Sequence, residues 1–286
     1  MFLREDLCSA AMLQQDSPEA LLSWAAACAQ QAAPADIYRD KEGRKTLRVH
    51  LAERSFFLKY HAGIGWLEIC KNLLQLRLPV TGAGSEYRAV RRLQSIGVDT
   101  LAVAAYASKG RNPATVTSMI LTDDLVHTTS LEDYCADWVA RPPAFRIRKR
   151  LLLKLADSAR RMHGAGINHR DFYICHFHLD EASLEQDALR CYLIDLHRAQ
   201  LRRQVPFRWR VKDLAGLYFS AMDCGLSQRD LLRFMHHYTE GGLRVALGQN
   251  AELWRQVARK AQALYRKGHG RAPPVIAGVA GVTNER

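Results

Sequence analysis

The hydrophobic period of this chain changes along its length, and that change restricts the fold more than any other feature. Ile37–Arg39, Thr46–Leu51 with Leu47, Val49 and Leu51 alternating, and Ser55–Lys59 read as three strands, joined by tight turns at Glu42-Gly43 and Ala52-Glu53-Arg54. A helix near Trp66–Leu76 follows, broken by Pro79, Gly82 and Gly84; a second runs from about Ser85 to Ile96 and stops at Gly97. Strands are expected at Thr100–Tyr106 and Val116–Leu121. Thereafter the spacing is helical: Ser130–Val139, Phe145–Ala165, Trp209–Met222, Ser227–Tyr238 and Leu253–Lys267, with a short strand pair around Phe177–Leu179 and Cys191–Ile194. Strands with one key helix, then a helix-rich half, specify an α+β protein of two unequal lobes with a hinge near Thr122-Asp123-Asp124. The expected division is a partly helical extension over 1–34, a small lobe over 35–122, a larger lobe over 123–267 and a flexible tail over 268–286.

The 286 residues are 48% apolar, enough for a substantial core. No stretch approaches the roughly 20 apolar residues that cross a bilayer, and the opening Met1-Phe2-Leu3-Arg4-Glu5-Asp6 lacks the order of a secretory signal, so a cytoplasmic protein is expected. Seven scattered cysteines without a C-x-x-C pair indicate neither a disulfide framework nor a zinc ribbon. A formal charge of +12 favours polyanionic partners: nucleotide phosphates, nucleic acid or an anionic membrane surface. Nucleic acid is disfavoured, because no helix-turn-helix, zinc-finger or aromatic ribonucleoprotein signature occurs.

Four separated elements fall in the order that phosphoryl transfer requires. In Phe56-Phe57-Leu58-Lys59-Tyr60 a lysine stands inside an apolar strand, where an ammonium must snorkel or meet anionic charge. Glu86 opens the helix after Gly84 and is the preferred carboxylate to hold Lys59; Glu68 is its rival, and simple capping is the bland alternative. The strongest segment is Asn168-His169-Arg170-Asp171, directly after a helix ending Met162-His163-Gly164. His-Arg-Asp in that position matches a kinase catalytic loop, with Asp171 as the base, although a salt-bridged loop would also explain it. Five residues on, where protein kinases place a metal-binding Asn, stands His176, whose imidazole can ligate a metal or hydrogen-bond a phosphate. Finally, Leu193-Ile194-Asp195 delivers one carboxylate at the end of an apolar strand, a position for Mg²⁺. Asp213, in the helix that follows, either braces the His169-Arg170-Asp171 backbone or caps its own helix. The turn between the first strands has one glycine; Lys41, Arg44 and Lys45 there are candidates for phosphate contacts or solvated charges.

These segments resemble the lipopolysaccharide core heptose(I) kinase family, which is related to the Kdo kinases within the protein-kinase-like superfamily. The resemblance runs from about Tyr38 to Tyr238 and includes Phe57-Leu58-Lys59, Ser130-Leu131-Glu132-Asp133-Tyr134-Cys135-Ala136-Asp137-Trp138, Gly166-Ile167-Asn168-His169-Arg170-Asp171, Tyr173-Ile174-Cys175-His176-Phe177, Ile194-Asp195-Leu196-His197-Arg198-Ala199-Gln200 and Lys212-Asp213-Leu214. It implies a protein-kinase-like fold and transfer of the ATP γ-phosphate to O4 of the first heptose of the inner core, at the cytoplasmic face of an inner membrane. It further implies Asp171, Arg170 and His169 in catalysis, Lys59, Glu86, Lys41 and Arg44 at the nucleotide, and Asp195 with His176 at Mg²⁺, supported by Asp213.

Two basic sets are candidates for the anionic glycolipid: Arg146, Arg148, Lys149 and Arg150, or Arg198, Arg202, Arg203, Arg208 and Arg210. Leu253, Val257 and Leu264 form a stripe that either packs inward or lies on a membrane. An acidic protein partner is compatible with the basic charge. Two other readings stay open: a kinase for another sugar, Kdo or a protein hydroxyl, and a catalytically dead module that binds glycolipid or protein.

Overall fold

The computed structural model describes residues 1–9, 17–41, 43–74 and 79–275; the hairpin residue Glu42 and the end of the expected helix to Leu76 lie outside them. The chain forms two compact units, one of Met1–Arg92, Leu101–Val126 and Leu196–Arg198, the other of Leu93–Thr100, His127–Asp195 and Ala199–Arg286.

The first unit holds β1 (Phe2–Leu3), α1 (Glu5–Ser9), α2 (Pro18–Gln31), β2 (Ile37–Lys41), β3 (Arg44–Leu51), β4 (Arg54–His61), α3 (Gly65–Leu74), most of α4 (Gly84–Ser95), β5 (Val103–Lys109) and β6 (Thr117–Asp123). The strands make one antiparallel sheet in the order β1-β5-β6-β4-β3-β2. Residues 2–9 and 17–31 are integral to it. Ser17 caps α2 by accepting from the Ala20 N–H, Pro18 occupies the first turn, and Leu21, Ala25 and Ala29 recur every fourth residue on the face buried against Leu47, Phe56, Leu58 and Leu121. Each leucine so buried contributes about 1.5–3 kcal/mol. β1 pairs with β5, and Arg4 clamps that edge with Nη1 and Nη2 on Asp123 at 2.7 and 2.8 Å. The strand expected over Thr100–Tyr106 begins later, at Val103, and the one expected from Val116 runs on to Asp123.

The second unit contains β7 (Thr128–Ser130), α5 (Leu131–Tyr134), α6 (Phe145–Gly164), β8 (Ile167–Asn168), β9 (Phe177–Asp180), β10 (Cys191–Leu193), β11 (Gln200–Leu201), α7 (Phe207–Ala221), α8 (Gln228–Tyr238), α9 (Gly242–Leu247) and α10 (Ala251–His269). The helix expected over Ser130–Val139 is one turn only. Its capping Ser130 accepts from the Asp133 N–H, and from Cys135 the backbone passes into successive turns before Pro142-Pro143. On α10, Leu253, Val257, Ala261 and Tyr265 are buried at four-residue spacing, so Leu253 and Val257 of the expected stripe pack inward while Leu264 is half-buried beside them. No helix among the described residues is long and apolar enough to cross a membrane.

Candidate active site

The first unit assembles a cationic group on one sheet face. Lys59 and His61 lie two residues apart on β4, and Arg44 is the direct cross-strand partner of His61. Lys59 Nζ donates to Glu86 Oε1 at 2.5 Å, with the carboxylate side chain 1% exposed. Glu86 lies in the first turn of α4, where the helix dipole favours an anion. Because both charges are largely out of water, removing one partner leaves the other uncompensated at a cost of about 3–5 kcal/mol. Glu68 is engaged elsewhere, holding Lys71 and Asn72 on its own helix.

At the hairpin tip the three basic residues separate. Lys41 is exposed; Lys45 Nζ donates to the Ala29 carbonyl at 2.8 Å; Arg44 is drawn in and buried. Gly43 makes this possible: it adopts φ +68, and a Cβ there would lie 2.3 Å from the Gly63 carbonyl oxygen. His61 was not singled out by its sequence context. It is buried, neither ring nitrogen has a hydrogen-bond partner, and burial, then Arg44, Lys59 and His197, push its pKa down to about 3. Alternation alone puts it beside Lys59; its pairing with Arg44 is a matter of register.

The second unit positions carboxylates, and does so with backbone. Asp213, seven residues into α7, accepts from the His169 N–H at 2.7 Å and the Arg170 N–H at 2.8 Å, so its side chain braces the loop rather than capping its helix. Arg170 has φ +78 and Asp195 φ +60, left-handed conformations that cost a non-glycine residue about 1–3 kcal/mol. The strain is held from both sides: His169 Nε2 donates to the Ile194 carbonyl at 2.9 Å, and the Ile194 N–H donates to the His176 carbonyl at 2.9 Å. His169 is fully buried, and burial, partly offset by Asp213, lowers its pKa; a neutral imidazole bridging two loops is a positioning group.

His176 Nδ1 donates to the Asp171 carbonyl at 2.7 Å, leaving Nε2 3.7 Å from Asp195 Oδ2. Burial lowers the pKa of this ring, but its bonds to Cys175 and to the Asp171 carbonyl, with the charge of Asp195, outweigh that and raise it to about 9. Asp171 and Asp195 are both half-exposed carboxylates. Among the described residues no group of three or more His, Cys, Asp or Glu is arranged to hold a metal ion.

Further along the same unit, four cations surround one indole. Arg170, Arg202 and Arg208 lie 5.3, 5.9 and 5.3 Å from the Trp209 ring, and Lys212 5.6 Å. Each such contact yields about 0.5–1 kcal/mol at an exposed site, an order that the mutual repulsion of four like charges readily exceeds. A separate apolar cavity of about 180 Å³ lies among α6, α7, α8 and α10, lined by Leu151, Leu155, Leu217, Phe234, Trp254 and Val257 among others.

A strand lysine paired to a helix glutamate, together with an aspartate-braced His-Arg-Asp loop and a strand-end aspartate, defines a phosphotransferase of the protein-kinase-like fold. Residues 29–238 match the model of the lipopolysaccharide kinase (Kdo/WaaP) family, and the chain belongs to that family. The lipopolysaccharide core heptose(I) kinase WaaP of Escherichia coli is 52% identical over 228 residues, spanning 79% of this chain and 86% of its own length. The WaaP of Pseudomonas aeruginosa is 47% identical over 241 residues, 84% of this chain and 90% of that one. Among solved structures, WaaP in complex with acyl carrier protein matches with a TM-score of 0.76 at 38% identity, over 92% of this chain and 98% of that chain. The chain is therefore a kinase, and the reading of a catalytically dead binding module is set aside.

Proposed function

We propose that this kinase transfers the γ-phosphate of ATP to a hydroxyl of the first heptose, O4, in the inner core of lipopolysaccharide. The observation that carries the reading is the Lys59–Glu86 pair at 2.5 Å, which orients a largely shielded ammonium, in a chain half identical to heptose(I) kinases. In this reading Lys59 and Arg44 bind the triphosphate, with Lys41 at the exposed hairpin tip above them. Asp171 accepts the proton of the acceptor hydroxyl as its oxygen attacks phosphorus and ADP departs. Arg170 and His169 hold that aspartate through the Asp213 brace. Asp195 would hold Mg²⁺, which when bound neutralises charge on the β- and γ-phosphates. His176, whose Nε2 lies 3.7 Å from that carboxylate, is the second candidate beside this cation, as a ligand or as a hydrogen-bond partner of a phosphate oxygen.

Turnover with isotopically labelled ATP over a panel of heptose-bearing core glycolipid, Kdo, an aminoglycoside and a generic protein substrate tests the assignment. Label on the heptose glycolipid alone is expected. Label on another acceptor, with none on heptose, overturns the choice of substrate.

We also infer peripheral association with the cytoplasmic face of the inner membrane, since the acceptor is a glycolipid and the chain carries +12. An acyl carrier protein is the proposed protein partner, on the precedent of the solved WaaP complex; the cavity lined by Leu151, Leu155, Leu217 and Trp254 offers an acyl chain an apolar seat. Co-purification of the carrier with the wild-type chain, and its loss on Leu155→Arg, is the expected result.

A further inference from the structure

We propose that the cations around Trp209 form the receptor for an anionic group, phosphate or carboxylate, carried by the glycolipid acceptor. This rests on the phosphotransfer reading above and adds the site that would bind the acceptor.

The three arginines of the first basic set are already engaged. Arg148 donates to the Gly225 carbonyl and pairs with Asp230, Arg150 donates to the carbonyls of Leu184 and Gln186, and Arg146 faces Glu185. Arg202 and Arg208, of the Trp209 group, differ. Arg202 gives Nη1 to the neutral amide oxygen of Asn168 at 2.5 Å, and among the described residues no carboxylate pairs with Arg202, Arg203 or Arg208. The local carboxylate, Asp213, has both oxygens committed to backbone N–H groups.

The sign of the charge also opposes the helix on which it is mounted. α7 opens at Pro206 with no side-chain cap and no acidic residue in its first turn, yet Arg208, Arg210 and Lys212 stand in its first six residues. A helix N-terminus favours anions, so local preference and sequence disagree here, and a bound anion reconciles them. The indole supplies a flat apolar surface beside the charge, and its Nε1–H is buried without a partner. That combination of planar face, spare donor and guanidinium forks suits an anionic sugar better than a bare ion.

Placement ties the cluster to the chemistry. β11 pairs with β8, Gln200 opposite Asn168, and the Arg202 N–H donates to the Gly166 carbonyl at 2.9 Å. Only glycine permits this approach: a Cβ on Gly166, at φ +80, would lie 1.9 Å from the Arg202 carbonyl oxygen. Arg202 is thus fixed to the strand that runs into His169-Arg170-Asp171, and Arg170 itself is both a member of the cluster and the neighbour of the proposed base.

The test is binding of the full chain to micelles of heptose-terminated core glycolipid, measured without ATP, alongside steady-state kinetics. Arg208 is exposed, so Arg208→Glu is expected to fold as wild type by thermal melting. It should weaken glycolipid binding and raise acceptor KM by tenfold or more, and leave ATP KM unchanged. Arg208→Lys should recover part of the loss, which a merely structural role would not require. Stripping phosphomonoesters from the glycolipid removes the difference between wild type and Arg208→Glu if phosphate is the anion recognised; a difference that persists assigns the carboxylates. Equal micelle affinity for wild type, Arg208→Glu and Arg202→Ala overturns the proposal. Wild type that binds micelles through these residues but incorporates no label would instead overturn the phosphotransfer reading and leave the receptor standing.

Discussion

The two units hold their charged groups by different means. In the first, Lys59, Arg44 and His61 are cationic or neutral side chains mounted on regular strands, and register alone puts them on one face. In the second, Asp171 and Asp195 sit on loops whose backbone is forced left-handed at Arg170 and Asp195, held there by Asp213, His169 and the Ile194 peptide. Strands place a point charge cheaply, and an ammonium with the phosphate-binding role proposed for Lys59 tolerates that coarse placement. A base of the kind proposed for Asp171 must meet one proton, and on that reading the strain in the second unit serves to fix it.

Removing the proposed base gives the largest expected effect. Asp171→Asn keeps the loop hydrogen bonds, so the fold and ATP binding should persist while kcat falls about 10²–10⁴-fold. A quenched-flow measurement with labelled ATP reads the chemical step; near-normal turnover in a folded variant would break the assignment of the second unit as the reacting half.

Next comes the buried pair. Lys59→Met strands Glu86, 1% exposed, and should destabilise the first unit by about 3–5 kcal/mol in urea, whereas the double variant Lys59→Met, Glu86→Leu should recover most of that loss without recovering activity. If the single and double variants were equally unstable, the pair would owe its role to packing rather than charge.

Asp213→Asn sharpens the contrast further. It removes charge-assisted acceptors from two backbone N–H groups, a loss of about 1–3 kcal/mol, and leaves the left-handed Arg170 with less to hold it. The expected outcome is a lower kcat with ATP KM unchanged, since Lys59 and Glu86 are untouched.

The same difference governs what the sequence discloses. Lys59 in an apolar strand, Glu86 at a helix start and the His169-Arg170-Asp171 run are local patterns, and each falls where periodicity and motif put it. The membership of α1 and α2 in the first core was not legible, because Leu7, Leu21 and Ala25 pack against a sheet whose edge is completed when β1 finds β5, a pairing across about a hundred residues. Arg44 and Lys41 look alike at the hairpin tip, and only the Gly43–Gly63 approach buries one and exposes the other. Asp213 left two readings because an aspartate near a helix start carries the same signature whether it caps or braces. His61 left none, since its environment is made of Arg44, His197 and Lys59 arriving from three segments.

That histidine gives the smallest and most diagnostic effect, because it and His176 titrate in opposite senses. His61 is held neutral, with a folded pKa near 3 against an ordinary 6.5, so the unfolded chain takes up its proton first as pH falls. Its contribution is therefore complete above pH 6.5 and is lost as pH drops from there toward 3, at up to about 1.4 kcal/mol per pH unit. His176, raised to about 9, contributes below 6.5 and loses that contribution as pH rises through 9. Urea denaturation between pH 7.5 and 5 should show a steeper acid-side loss in wild type than in His61→Leu, which also removes two unsatisfied ring nitrogens and should be no less stable at pH 5. Parallel pH profiles for the two proteins would mean that His61 gains its proton in the fold as easily as out of it, and that neither its burial nor the charges of Arg44 and Lys59 hold it neutral.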